Sequence, residues 1–193
     1  GERVHDGEHG EPPPLLGDGE RLGGEGAGEP GLAEFAVGRL GVPAYLSGMA
    51  RGLLGRDSPL QMRHARRKAL RESDCVLLAG VPCDFRLDYG KHVRRSATLV
   101  AANRSTHDAR LNRKPSIEAI GDAGRFIAAL ADQVGERAKR PGWIVALDVR
   151  DADREAEINA QANARGGNVN PVAFFRAMDR AAQPLRPGHA EPL

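Results

Sequence analysis

Residues 74–90 read DCVLLAGVPCDFRLDYG. Within them, Cys75-Val-Leu-Leu-Ala79 is an unbroken apolar run ended by Gly80, the pattern of a strand buried on both faces of a parallel sheet. A basic helical pattern over residues 59–73 precedes it, and a polar loop carrying Asp84, Arg86 and Asp88 follows. Helix, buried strand and polar loop at the strand's carboxyl end is the order in which open α/β sheets place a ligand site. The predicted class is therefore α/β, a parallel sheet with flanking helices.

The segments on either side extend that pattern. Residues 32–40 repeat apolar positions at helical spacing, with Gly41 as the expected C-cap before a strand over 42–46. A glycine-punctuated loop, 47–55, leaves that strand, and small residues there let backbone N–H groups approach a ligand. Asp57-Ser58-Pro59 reads as a helix start, with Met62, Ala65, Ala69 and Leu70 facing inward. The outer face holds Arg63, Arg66, Arg67, Lys68 and Arg71, which suits either a phosphate-rich partner or plain solvation, the commoner reason for a charge run. Downstream, 97–102 is a second buried strand with Asn103 and Arg104 at its end, and 105–112 is a polar connector with room for one helical turn. An outer strand is expected over 115–120, then a helix capped by Asp122 with Phe126, Ile127, Leu130 and Val134 on its core face. Strands and helices in alternation predict parallel pairing through right-handed crossovers.

The remainder is less dense in apolar residues. After a charged linker, residues 143–164 form a helical pattern whose large apolar residues cluster at its beginning. A last helix starts after the cap Asn170, with Pro171 in its first turn and a stripe of Val172, Phe175 and Met178 that wants a partner. Residues 1–30, rich in Gly, Pro and Glu, and the tail 184–193 are expected to be disordered. The expected organisation is a sheet domain over 31–135, then a linker and the start of a truncated C-terminal domain over 136–183.

Composition narrows the function classes. The chain has 193 residues, 28 Lys+Arg against 26 Asp+Glu, 40% hydrophobic and 4% aromatic content. Such balanced charge and few aromatic residues argue against a nucleic-acid partner. No apolar run reaches the ~20 residues of a membrane span, so no membrane partner is expected. The six His lack HExxH spacing, and Cys75 and Cys83 form no CxxC, so neither a metal centre nor a disulfide framework is expected. The N-terminus lacks the apolar core of a signal peptide, and the expected setting is cytoplasmic and reducing.

Three further runs carry a family likeness: VPAYLSGMARGLLGRDSPLQMRHARRKALRESDCVLLAGVPCDFRLDYG, TLVAANR and IEAIGDAGRFIAAL, in that order. They resemble the central domain of thiamine diphosphate-dependent enzymes, most of all the acetolactate synthase-like and 2-hydroxyacyl-CoA lyase branch. The likeness is close over residues 35–134 and looser to 182, where VNPVAFFRAMD is similar to the helix opening the family's C-terminal domain. It implies a Rossmann-like domain that binds FAD in acetolactate synthases and an adenine nucleotide in oxalyl-CoA decarboxylases, within enzymes that use thiamine diphosphate and magnesium and assemble as homo-oligomers.

Carried over position by position, the resemblance puts Ser47, Gly48 and Met49 where the family wraps the flavin. Gly80, Asp84 and Arg86 fall on its glycine, aspartate and arginine contacts, and Asp122 on the Gly-Asp at the adenosine end. Asn103 and Arg104 stand where flavin-binding synthases have an Asp and an aliphatic residue, and Pro82 stands where they carry a further arginine. FAD, ADP or an empty site are all compatible with those departures. The family's thiamine-activating glutamate and its Gly-Asp-Gly magnesium segment have no counterpart, since Gly17-Asp18-Gly19 lacks a preceding strand. The expectation is thus a fragment, inactive alone, of a thiamine diphosphate-dependent lyase or synthase; the alternative is a free-standing FAD- or ADP-binding module.

Overall fold

A computed structural model describes residues 31–55, 57–135, 139–164 and 168–182. The segments expected to be disordered, 1–30 and 184–193, lie outside the described residues, as do 136–138 of the charged linker. The described elements run α1 (Leu32–Leu40), α2 (Arg66–Glu72), β1 (Cys75–Ala79), β2 (Thr98–Asn103), α3 (Thr106–Arg110), β3 (Ile117–Ile120), α4 (Ala123–Val134), α5 (Pro141–Asn163) and α6 (Pro171–Ala182).

The three strands form one parallel sheet in the order β1-β2-β3, with Cys75 opposite Thr98 and Val100 opposite Ile117. The expected α/β fold is therefore present. In the centre of the sheet, β2 is almost wholly withdrawn from water: Leu99, Ala101, Ala102 and Asn103 are all buried. On one side Val76, Leu78 and Leu99 pack with Cys83, Leu87, Val93 and Ala97 of the β1–β2 connection, and Leu70 of α2 lies against them. A second cluster joins Ala36 and Leu40 of α1 to Ile127 and Ala131 of α4, with Leu77, Ala79 and Val42 alongside. Of the expected core face of α4, Leu130 and Val134 join that cluster and Phe126 does not.

Two expectations upstream of β1 are corrected. Residues 42–46 are not a strand of the sheet; only Ala44 pairs, in a single parallel bridge to Gln61. Ala44 N–H donates to the Leu60 carbonyl at 2.7 Å, and Met62 N–H donates to the Ala44 carbonyl at 2.9 Å. Pro43 has no N–H to extend a ladder along the other edge. The helix expected over 59–73 is shortened to α2, because residues 60–64 are drawn out by that bridge and by Asp151 of α5. The Asp151 carboxylate accepts from Arg63 N–H at 2.6 Å and from His64 N–H at 3.0 Å. Ala65 turns through φ 54° between the extended run and α2, and is exposed rather than inward-facing as expected. Met62 and Ala69 are buried as expected, against Leu147 of α5.

Elsewhere local signals hold. Gly41 closes α1 at φ 58°, Ser105 caps α3, Asp122 caps α4 and Asn170 caps α6. In α5 the large apolar residues do gather near the start, and Leu147 is 1% exposed. The α6 stripe stays open, with Phe175 66% and Met178 52% exposed. Among the described residues no helix is long and apolar enough to cross a membrane.

Candidate functional site

Parallel register aligns the carboxyl ends of the strands on one rim. Gly80 N–H donates to the Ala102 carbonyl at 2.8 Å and Gly121 N–H to the Asn103 carbonyl at 2.9 Å, so the chain leaves β1, β2 and β3 side by side. Gly80 holds φ 67°, a left-handed turn that glycine takes without steric cost, and it faces Ala123 at the start of α4.

The expected residues fall into two groups along this rim. In the first, the loop after β1 folds into a one-turn 3₁₀ helix over Phe85–Leu87, started by Asp84. The Asp84 carboxylate accepts from Arg86 N–H at 2.9 Å, from Nε at 2.9 Å and from Nη2 at 2.6 Å. These charge-assisted bonds hold the Asp84 carboxyl below the usual carboxylate range and raise the Arg86 guanidinium above its ordinary value. Gly48 stands beside this pair, since a side chain added there would meet Arg86 Nη1 at 3.7 Å. The loop 47–55 thus reaches the rim although residues 42–46 do not join the sheet. Ser47 is half-buried next to Gly48, and Met49 is fully exposed, with no side-chain packing to fix it.

The second group comprises Asn103, Arg104 and Asp122. Asn103 is 7% exposed, and its side-chain oxygen accepts from Arg104 N–H at 3.0 Å. The Arg104 guanidinium reaches out over the rim to within 3.8 Å of Asp122, whose other oxygen accepts from Arg125 N–H at 2.9 Å. Asp122 therefore both starts α4 and anchors Arg104. Each of the two arginines already has a carboxylate, so an incoming anion must share or displace Asp84 or Asp122.

A groove elsewhere was not foreseen. Gln61, Arg63, Asp148, Asp151 and Glu155 line it, between the 61–64 run and α5. Two of its three carboxylates are engaged: Asp151 with two backbone N–H groups, Glu155 with His64 at 2.9 Å and with Arg176 at 3.0 Å. The His64 hydrogen bond, with Arg176, keeps the Glu155 carboxyl below its ordinary value. Tyr45 packs beside Leu147, and burial together with the Asp151 charge pushes its hydroxyl up to about 12. The i,i+4 spacing of Asp151 and Glu155 was a visible signal that one helix face is acidic, but their backbone and His64 partners lie some 90 residues away in sequence.

Magnesium at a diphosphate is held by one or two carboxylates together with the phosphate oxygens and waters. Among the described residues no three His, Cys, Asp or Glu side chains come together in a group that could hold a metal ion. The rim carboxylates Asp84 and Asp122 are each paired with an arginine, so neither stands ready as a donor to a diphosphate-bound metal.

Comparison with known proteins agrees with the fold. This chain is 38% identical over 151 residues to 2-hydroxyacyl-CoA lyase 2 of Homo sapiens, covering 75% of this chain and 24% of that protein. It is 36% identical over 159 residues to 2-hydroxyacyl-CoA lyase 2 of Caenorhabditis elegans, covering 76% and 24%. It is 38% identical over 122 residues to a probable acetolactate synthase of Mycobacterium bovis, covering 61% and 22%. The chain thus spans about a quarter of the length of the curated relatives it matches. A family model described as thiamine pyrophosphate enzyme, central domain, matches residues 22–130. With more than half of its length inside that match and a parallel sheet at its centre, the chain belongs to the family of thiamine pyrophosphate enzyme central domains.

Proposed function

We propose that this chain is the central-domain portion, over residues 31–135, of a thiamine diphosphate-dependent enzyme of the 2-hydroxyacyl-CoA lyase or acetolactate synthase kind. In that reading it is a scaffold for the carbon–carbon chemistry and does not perform it. The observation that carries the proposal is identity of 36–38% to 2-hydroxyacyl-CoA lyases across three quarters of the chain. Thiamine diphosphate, when bound in the whole enzyme, supplies a carbanion that adds to and cleaves bonds beside a carbonyl. This chain's own residues present an ordered sheet and a rim of paired charges, with residues 136–182 leading into the next domain of a homo-oligomer.

The test is an assay of the purified chain with thiamine diphosphate, magnesium and either pyruvate or a 2-hydroxyacyl-CoA. No acetolactate and no aldehyde should form, and measurable turnover would overturn the scaffold reading. A second reading, a nucleotide module, draws on Gly48 approaching Arg86 at the strand ends. Calorimetric titration with FAD and with ADP separates the two, because absence of binding at high micromolar concentration removes the nucleotide module. The internal Asp84–Arg86 and Arg104–Asp122 pairs lead us to expect weak binding at most.

A further inference from the structure

The basic face of α2 is joined to the loop after β1 through Arg66, and the scaffold role leaves it untouched. Four of its seven residues are cationic: Arg66, Arg67, Lys68 and Arg71. Its only carboxylate, Glu72, is turned away to Arg150 of α5 at 2.7 Å and neutralises none of them. Arg66 Nη2 is spent on the Arg86 carbonyl at 2.8 Å. Arg67 and Arg71 lie i,i+4 on one exposed face, and neither makes a hydrogen bond or ion pair among the described residues.

The β1–β2 connection brings a third group to this face. Leu87 and Val93 are buried in the cluster against which Leu70 packs, and Arg66 bonds the Arg86 carbonyl, so this connection and α2 share one side of the core. Between them is His92, half-buried, whose Nδ1 is shielded from water and has no hydrogen-bond partner among the described residues. The Arg66, Arg67 and Arg71 charges of α2 act on its ring, as does Asp88, itself 4.0 Å from Lys91, in the loop. Burial and then the Arg67 charge make His92 harder to protonate than an ordinary histidine, an effect that Asp88 only partly offsets.

We propose that Arg67, Arg71 and His92 form a binding site for a phosphate group. Two unpaired guanidinium forks on one helical face suit phosphate oxygens, and an imidazole held neutral by burial and by nearby cations gains a proton when an anion arrives. Binding and protonation are then linked: phosphate raises the His92 midpoint, and affinity falls as pH rises through it. None of this depends on the thiamine reading, and its test needs no cofactor.

The test uses the full chain, with the His92 C2–H resonance, assigned by its loss in His92→Gln, followed from pH 4 to 8. Added inorganic pyrophosphate should raise the His92 midpoint by about one unit, while sodium chloride at equal ionic strength should not. Arg67→Gln with Arg71→Gln, both exposed positions, should abolish the rise without moving the denaturation midpoint. An equal rise in chloride, no rise at all, or a rise that survives in the double variant would overturn the site. Phosphatidylcholine vesicles with and without phosphatidic acid identify the source. Response to pyrophosphate alone assigns a soluble phosphate compound, response to both assigns a lipid headgroup, and vesicle binding without a pyrophosphate response contradicts the site.

Discussion

The three-stranded sheet and the residues just upstream of it are built on different physics. In the strands and helices between residues 75 and 134 the backbone pairs mainly with a neighbouring strand or along its own helix, and caps such as Ser105 and Asp122 satisfy the ends locally. From residue 42 to 65 the chain has one bridge, and the N–H groups of Arg63 and His64 depend on a carboxylate of α5. Apolar periodicity reports the first arrangement and is silent about the second. A segment whose backbone is held by a remote side chain has no pattern of its own.

That contrast can be pressed from both sides. The largest effect is expected at Leu99, 1% exposed in the central strand among seven buried residues. Leu99→Ala should cost about 3 kcal/mol in urea denaturation, because the surrounding sheet cannot close over the cavity. Leu147→Ala, equally buried but in a cluster of three buried residues edged by the half-buried Tyr45, Trp143 and Ile144, should cost less, about 2 kcal/mol. Equal losses would show that α5 is as integral as the sheet.

Asp151→Ala comes next, at about 2 kcal/mol, since it strands two backbone donors. Hydrogen exchange should speed at the Arg63 and His64 amides and stay unchanged in β2; uniform acceleration would erase the distinction between the two regions. Asp122→Ala removes the α4 cap that Arg125 N–H uses and should cost about 1 kcal/mol. It should also free Arg104, which makes it a direct check on the second group at the rim.

How much of this was readable follows the same line. The helix at 32–40 with its Gly41 cap, the strand at 75–79, the Asp122 and Asn170 caps and the open stripe of α6 all rest on neighbours close in sequence. The second strand was misplaced by one residue. The strand expected at 42–46 failed because Pro43 lacks a donor, and the helix expected from residue 59 failed because Asp151 is 88 residues away from Arg63. At the site, Asp84 and Arg86 share one short loop in the sequence and the resemblance singled them out, whereas the approach of Gly48 to Arg86 comes from tertiary packing.

Acid is the gentlest probe. Asp84 and Glu155 both titrate below the ordinary carboxylate value, so each stabilises fully above its unfolded value near pH 4 and loses that contribution as pH falls through its lower folded value. Stability should therefore decline below about pH 4, and less steeply in Asp84→Asn. Both pairs are partly exposed, so the slope should be shallow and should flatten with salt.

The scaffold reading is tested most directly by exchange. Residues 31–135 are put in place of the matching segment of 2-hydroxyacyl-CoA lyase 2 of Homo sapiens, and thiamine diphosphate-dependent cleavage of a 2-hydroxyacyl-CoA is measured. The chimera should fold and keep its rate within about tenfold of the parent, because only supporting structure has been exchanged. A folded, cofactor-loaded chimera with no activity would contradict the account.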